Sequence, residues 1–191
     1  AMCEVFGAFG WAEGIPFMKW LMDFLLVRGI NHFVPHAFSD QYPDPDCPPH
    51  FYGQGNDPQF SGFKKLMEYV NQVSHLLSDK DRQVSGAVLY HAEAEWMNGE
   101  DCMMTQVPAK QLYDAQIDYD IVPLDALENA SAENGTMCIN GHVYRFLAVP
   151  RAAVLPEKFW NAVCRLHRCG LPVFFLDQAP SHKGELPGKV V

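Results

Sequence analysis

Residues 3–9 read Cys-Glu-Val-Phe-Gly-Ala-Phe, an apolar run carrying one carboxylate and ended by Gly10. Such a run predicts a strand buried on both faces. It starts without a leading cap or turn, which predicts that the chain is a piece of something longer. Pro16 then suits a first helical turn, and Phe17, Trp20, Leu21, Phe24 and Leu25 recur at spacings of three and four before Gly29. This predicts a helix of about three turns with a glycine cap. Residues 30–38 return to strand character. Residues 3–38 therefore read strand, helix, strand, the crossover that makes neighbouring strands parallel.

Residues 41–61 hold Pro43, Pro45, Pro48, Pro49, Gly53, Gly55 and Pro58 among aromatic side chains. That is too many breakers for regular structure and too many rings for an idle linker, so a long, ordered surface loop is expected. From Phe63, the apolar positions Leu66, Met67, Val70, Val73, Leu76 and Leu77 mark one helix face, opposite Lys64, Lys65, Glu68, Asn71 and Gln72. Residues 78–81, Ser-Asp-Lys-Asp, end that helix and place the domain boundary, with residues 1–80 before it and 81–191 after.

Beyond the boundary the pattern restarts: strand at 84–91, helix at 108–117, short strand at 119–122. Residues 126–134 are polar and read as loop or frayed helix. Asn140-Gly141 is a strong tight-turn dipeptide between strands at 135–140 and 142–149. A helix at 156–169, a cap at Gly170 and a strand at 171–177 complete an α/β layer with a mainly parallel sheet.

Composition narrows the function. With 14 basic and 23 acidic residues the formal charge is −9, and no Lys/Arg cluster offsets it, which disfavours nucleic acid as a partner. No apolar run reaches the ~20 residues of a membrane span, so no membrane partner is expected. The six cysteines show no CxxC and no zinc-type spacing, and read as reduced thiols; on that ground alone the expected compartment is the cytoplasm. No metal and no cofactor is expected. There is no GxGxxG, no Walker sequence and no GxSxG or GxCxG nucleophile elbow. A doubly wound domain without a nucleophile reads as a scaffold.

The candidate chemistry lies at strand ends. Glu4, a carboxylate in an apolar strand, must be paired, protonated or set at a strand end facing a cleft. His36 and Asp40 follow the second strand at the same end of the sheet, where barrel enzymes build their sites. The structural alternatives are a Glu4 bonded to a neighbour and a buried, hydrogen-bonded His36. Tyr42, His50, Phe51, Tyr52 and Phe60 line the proline-rich loop; rings with polar tips suit sugar faces, or only pack the loop down. His91, Glu93 and Glu95 follow the first strand of the second half, where open α/β sheets bind ligands; an HxExE cluster could also hold a metal.

Glu4 to Trp11, Met18-Lys19-Trp20-Leu21, Val27-Arg28-Gly29-Ile30-Asn31 and Val34-Pro35-His36-Ala37-Phe38 resemble the end of the catalytic barrel in large bacterial glycosidases, above all the α-L-rhamnosidase-like group. Pro49-His50-Phe51-Tyr52-Gly53 and Asn56-Asp57-Pro58-Gln59-Phe60 look like the loop after the last barrel strand. The stretches at 84–91 and 113–120 are similar to the amidotransferase-like domain that follows the barrel, related to the trimerisation domain of some β-galactosidases. The resemblance implies a partial (β/α)8 barrel end followed by a flavodoxin or class I amidotransferase-like open parallel sheet, the latter incomplete. It implies that Glu4 is the catalytic carboxylate, on the seventh barrel strand. His36, at the end of the eighth strand, joins Asp40, Tyr42, His50 and Tyr52 as the substrate-binding set, and the substrate is a carbohydrate. The partners implied are the remainder of the barrel and a possible second copy of the chain. Glycoside hydrolysis needs two carboxyl groups and one is visible, so the piece alone is expected to be inactive. The competing reading is a non-catalytic carbohydrate-binding or oligomerisation module.

Overall fold

The computed structural model describes residues 1–7, 9, 13–39, 44, 51, 55–80, 82–98, 101–180 and 182–184. The chain divides into two compact units, Ala1–Arg82 and Gln83–Val191.

In the first unit β1 (Met2–Val5) and β2 (His32–Pro35) pair in parallel, Met2 opposite His32 and Val5 opposite Pro35. α1 (Ile15–Leu26) connects them and α2 (Phe60–Leu77) follows. Alternation along the strands sends Cys3, Val5 and Phe33 into a core with Met18 and Met22 of α1 and Phe63, Leu66 and Val70 of α2. Met2, Glu4, His32 and Val34 occupy the opposite face, which is exposed. The strand–helix–strand order is as expected, but both strands are shorter. β1 stops at Val5 because Phe6 turns to a φ of 71° and drops its ring fully into the core. The Val5 carbonyl then accepts the His36 N–H at 2.8 Å. α1 ends in a Schellman arrangement, Gly29 N–H to the Leu26 carbonyl and Ile30 N–H to the Leu25 carbonyl. α2 starts earlier than the apolar spacing predicts. The Asp57 carboxylate accepts the Gln59 N–H at 2.7 Å and its carbonyl accepts the Phe60 N–H, a turn that sets the first helical residues.

The second unit centres on β3 (Gly86–Tyr90), followed by α3 (Ala92–Asn98), α4 (Gln106–Asp114), β4 (Tyr119–Pro123) and α5 (Leu124–Asn129). Then come β5 (Ser131–Glu133), β6 (Thr136–Ile139), β7 (His142–Tyr144), β8 (Phe146–Val149) and β9 (Val154–Pro156). α6 (Glu157–Arg168), β10 (Val173–Phe175) and β11 (His182–Gly184) complete it. The main sheet has the spatial order β10-β8-β3-β4 and is parallel throughout. Numbered by their order in the chain, these four strands lie 2-1-3-4 across the sheet, so the order reverses between β3 and β8. Its core joins Ala87, Leu89, Leu147 and Val149 to Leu124 and Leu127 of α5 and Phe159, Val163 and Leu166 of α6. Gly86 faces Phe146 on β8 so closely that a Cβ there would lie 2.0 Å from the ring.

Asn140 and Gly141, with φ of 50° and 86°, make the expected tight turn between β6 and β7. The segment 142–149 is nevertheless two strands. After β7 the Arg145 N–H bonds to the Ser85 carbonyl, and the chain passes into the parallel sheet as β8. Residues 126–134, expected as loop or frayed helix, belong to α5 and β5. The Arg165 guanidinium of α6 donates to the carbonyls of Leu127, Glu128 and Ala130, satisfying the groups that a short helix leaves open. Gly135, at φ 78°, donates its N–H to the Cys169 carbonyl beside Gly170, at φ 89°. A Cβ on either glycine would come within 3.4 Å of the other's backbone. Among the described residues no helix is long and apolar enough to cross a membrane, and Cys3, Cys102, Cys138, Cys164 and Cys169 carry free thiols.

Candidate functional site

The C-terminal ends of β1 and β2 carry the residues of first interest. Glu4 is the penultimate residue of β1, on the exposed face, opposite Val34. Of the three environments open to it, the structure shows the strand-end position. Its Oε1 lies 3.5 Å from where a Cβ on Gly7 would stand, so the carboxylate folds over the start of the β1–α1 segment. His36 follows β2 directly and is half-buried, with an Nδ1 that is shut off from solvent and has no hydrogen-bond partner among the described residues. Glu4 and His36 thus sit at the same end of one parallel strand pair. Asp40, Tyr42, His50 and Tyr52 lie outside the described residues.

Phe51 is described, and it is a packing residue. It is 1% exposed, stacks on Phe63 and meets Phe6 and Phe38 edge-on, while its N–H bonds to the Ala37 carbonyl. Phe51 is thereby held beside the end of β2, through the Ala37 carbonyl.

Sequence reasoning missed Glu13. It lies two residues before α1, next to the N-cap Gly14, is 8% exposed, and neither carboxylate oxygen has a hydrogen-bond partner among the described residues. Burial raises its carboxyl above the usual range. Nothing in the sequence distinguishes it from an ordinary loop acid. A buried, orphaned carboxyl in the segment that leaves a strand's C-terminal end has the environment of a functional group.

In the second unit His91 lies within reach of the charges of Glu95 and Glu93, which belong to the first turn of α3. His91 is 1% exposed and neither ring nitrogen makes a hydrogen bond among the described residues, although backbone of Arg151 and Met103 lies near. Burial lowers its pKa, outweighing those backbone groups and the charges of Glu95 and Glu93. Glu93 turns towards Lys158, 3.8 Å away, which also meets Glu128 at 3.1 Å. No group of three or more His, Cys, Asp or Glu side chains suited to a metal occurs among the described residues. Burial, and then the Glu95 charge, hold the Cys102 thiol above the usual range.

No protein-family match and no curated relative was found for the chain. Among solved structures it is similar to the rhamnosidase from Novosphingobium sp. PP1Y, with a TM-score of 0.64 over 87% of this chain at 15% identity. The chain spans 16% of that protein's length. At that identity the likeness is one of fold: a mixed α/β arrangement with parallel strands, shared with part of a glycoside hydrolase.

Proposed function

We propose that the chain is part of a glycoside hydrolase, contributing the last two strands of a (β/α)8 catalytic barrel and an amidotransferase-like domain, with Glu4 as an active-site carboxylate. The observation that carries this reading is the two-faced strand pair. One face lies under α1 and α2, as a barrel strand lies under its helices. The other bears Glu4 near the C-terminal end, where barrel enzymes place their chemistry. The fold shared with part of a rhamnosidase supports the same conclusion. The 2-1-3-4 order of the described strands in the second unit's main sheet supports a flavodoxin-like doubly wound sheet in this reading.

In this reading Glu4 acts as nucleophile or as the base that activates water, and His36 holds a sugar hydroxyl. A partner carboxyl supplies the leaving group's proton. Assay of the intact protein, wild type and Glu4→Gln, against nitrophenyl glycosides including α-L-rhamnoside and β-galactoside tests it. Turnover of one sugar, reduced more than ~100-fold in a folded Glu4→Gln variant, is the expected result; unchanged turnover removes Glu4 from the site.

A second reading, an assembly module without turnover, is favoured by one feature. Phe17 and Trp20 stack on the outer side of α1, 47% and 56% exposed, a patch of the kind that marks association surfaces. It predicts oligomerisation with no hydrolysis of any glycoside.

A further inference from the structure

The second unit contains a cavity of about 580 Å³ between the outer edge of the main sheet, α5 and the β6–β7 hairpin. Its polar lining is Asp120 of β4, Asp125 and Asn129 of α5, Asn140 of the turn, and His142 and Tyr144 of β7. Tyr144 donates its hydroxyl to Asp120 at 3.0 Å, which fixes that carboxylate at the cavity wall. Asn129 donates its Nδ2 to the Asp125 carbonyl, directing its amide oxygen elsewhere. Ile121, Pro123 and Ile139 supply apolar surface between these groups.

The lining discriminates among ligand classes. Among the described residues that line it there is no Lys or Arg, so phosphates, nucleotides and other anions meet two carboxylates, with His142 as the basic group of the lining. Among the described residues no set of side chains suits a metal ion. An extended peptide would have to pair with β4, but that edge is five residues long and ends in Pro123, which has no N–H to offer. A compact ligand rich in hydroxyls fits the groups that line the cleft. Carboxylates accept hydrogen bonds from such groups, amides accept and donate, and the Ile and Pro side chains meet C–H faces. The volume falls in the range of about 300–1,000 Å³ typical of small-molecule sites.

We propose that this cleft is a sugar-binding site in its own right, built on the second unit. It goes beyond the hydrolase reading and does not depend on Glu4.

The test is a titration of the ¹⁵N-labelled intact chain with L-rhamnose, D-galactose, D-glucose and xylotriose, and separately with CaCl₂ and a lysine-rich peptide. The expected result is saturable shifts of the Asn129 and Asn140 side-chain amides with one or more sugars. Asp120→Asn and His142→Ala should each weaken that binding by at least about tenfold, with both variants folded by circular dichroism. Glu4→Gln should leave it unchanged, which separates this site from the proposed catalytic one. Absence of shifts with every sugar, shifts that survive both cleft substitutions, or a response to calcium or the peptide alone would overturn the assignment.

Discussion

Phe51 lies flat on Phe63, ring centroids 4.0 Å apart and planes within 5° of parallel. One ring comes from the proline-rich segment and the other from the first turn of α2. The stack is one of the contacts that hold Phe51 in the core, with the edge-on rings of Phe6 and Phe38. Phe51→Ala should lower the unfolding free energy by about 3–5 kcal/mol, the usual cost of emptying a buried phenylalanine site. Phe51→Leu should cost distinctly less. Urea denaturation followed by tryptophan fluorescence separates the two.

Glu13 makes stability fall as pH rises. Its carboxyl is raised in the folded state, so folding is favoured fully below the unfolded value near 4.5 and loses that contribution as pH climbs through the folded value. Glu13→Gln should flatten the stability profile above pH 4.5 and leave the protein at neutral pH as stable as the wild type or more so. A steeper decline in the variant would show that the carboxylate is held by groups that favour its charge.

His91 works in the opposite direction. Its pKa is lowered in the folded state, so the folded form is fully favoured above the unfolded value of 6.5 and is progressively disfavoured as pH falls below it. His91→Leu, which keeps the site apolar and removes the titration, should lose that acid sensitivity. Thermal unfolding at a series of pH values from 7.5 downward reads it directly.

Much of the architecture was legible because long apolar periodicities survive any tertiary context. The crossover of the first unit, α2 and α6 came from such patterns, and the Asn140-Gly141 turn from its dipeptide. Short elements did not. α3 is seven residues with Glu93 and Glu95 in its first turn, and only Ala94 is buried. α5 offers Leu124 and Leu127 as its buried residues and depends on Arg165, thirty-five or more positions away, to close its end. β9 and β11 are three residues each, too short to show a period. Glu4 could be read from sequence because a charge stands out in an apolar run. Glu13 could not, since the burial of a loop acid depends on what folds over it.

Gly86 supplies a prediction with an internal control. A methyl group there collides with the Phe146 ring, which is itself edge-on to Phe174. Gly86→Ala should destabilise by roughly 1–3 kcal/mol as an overpacked site. Adding Phe146→Leu should return part of that loss, whereas Phe146→Leu alone should be destabilising. If the double variant is no better than Gly86→Ala, the strain lies in the backbone and not in the ring.

The pair Gly135 and Gly170 also bears on how the protein can be instrumented. Two turns distant in sequence meet backbone to backbone, each glycine at a positive φ that strains any side chain, so dyes, tags and cross-linkers belong elsewhere. The opposite end of the same hairpin offers open space, with nothing near Gly141 and Val143 half in solvent. A fluorophore carried on a cysteine at position 143 would sit next in sequence to two residues of the cleft while leaving the glycine contact intact. Ligand entry could then be followed as light emission in real time.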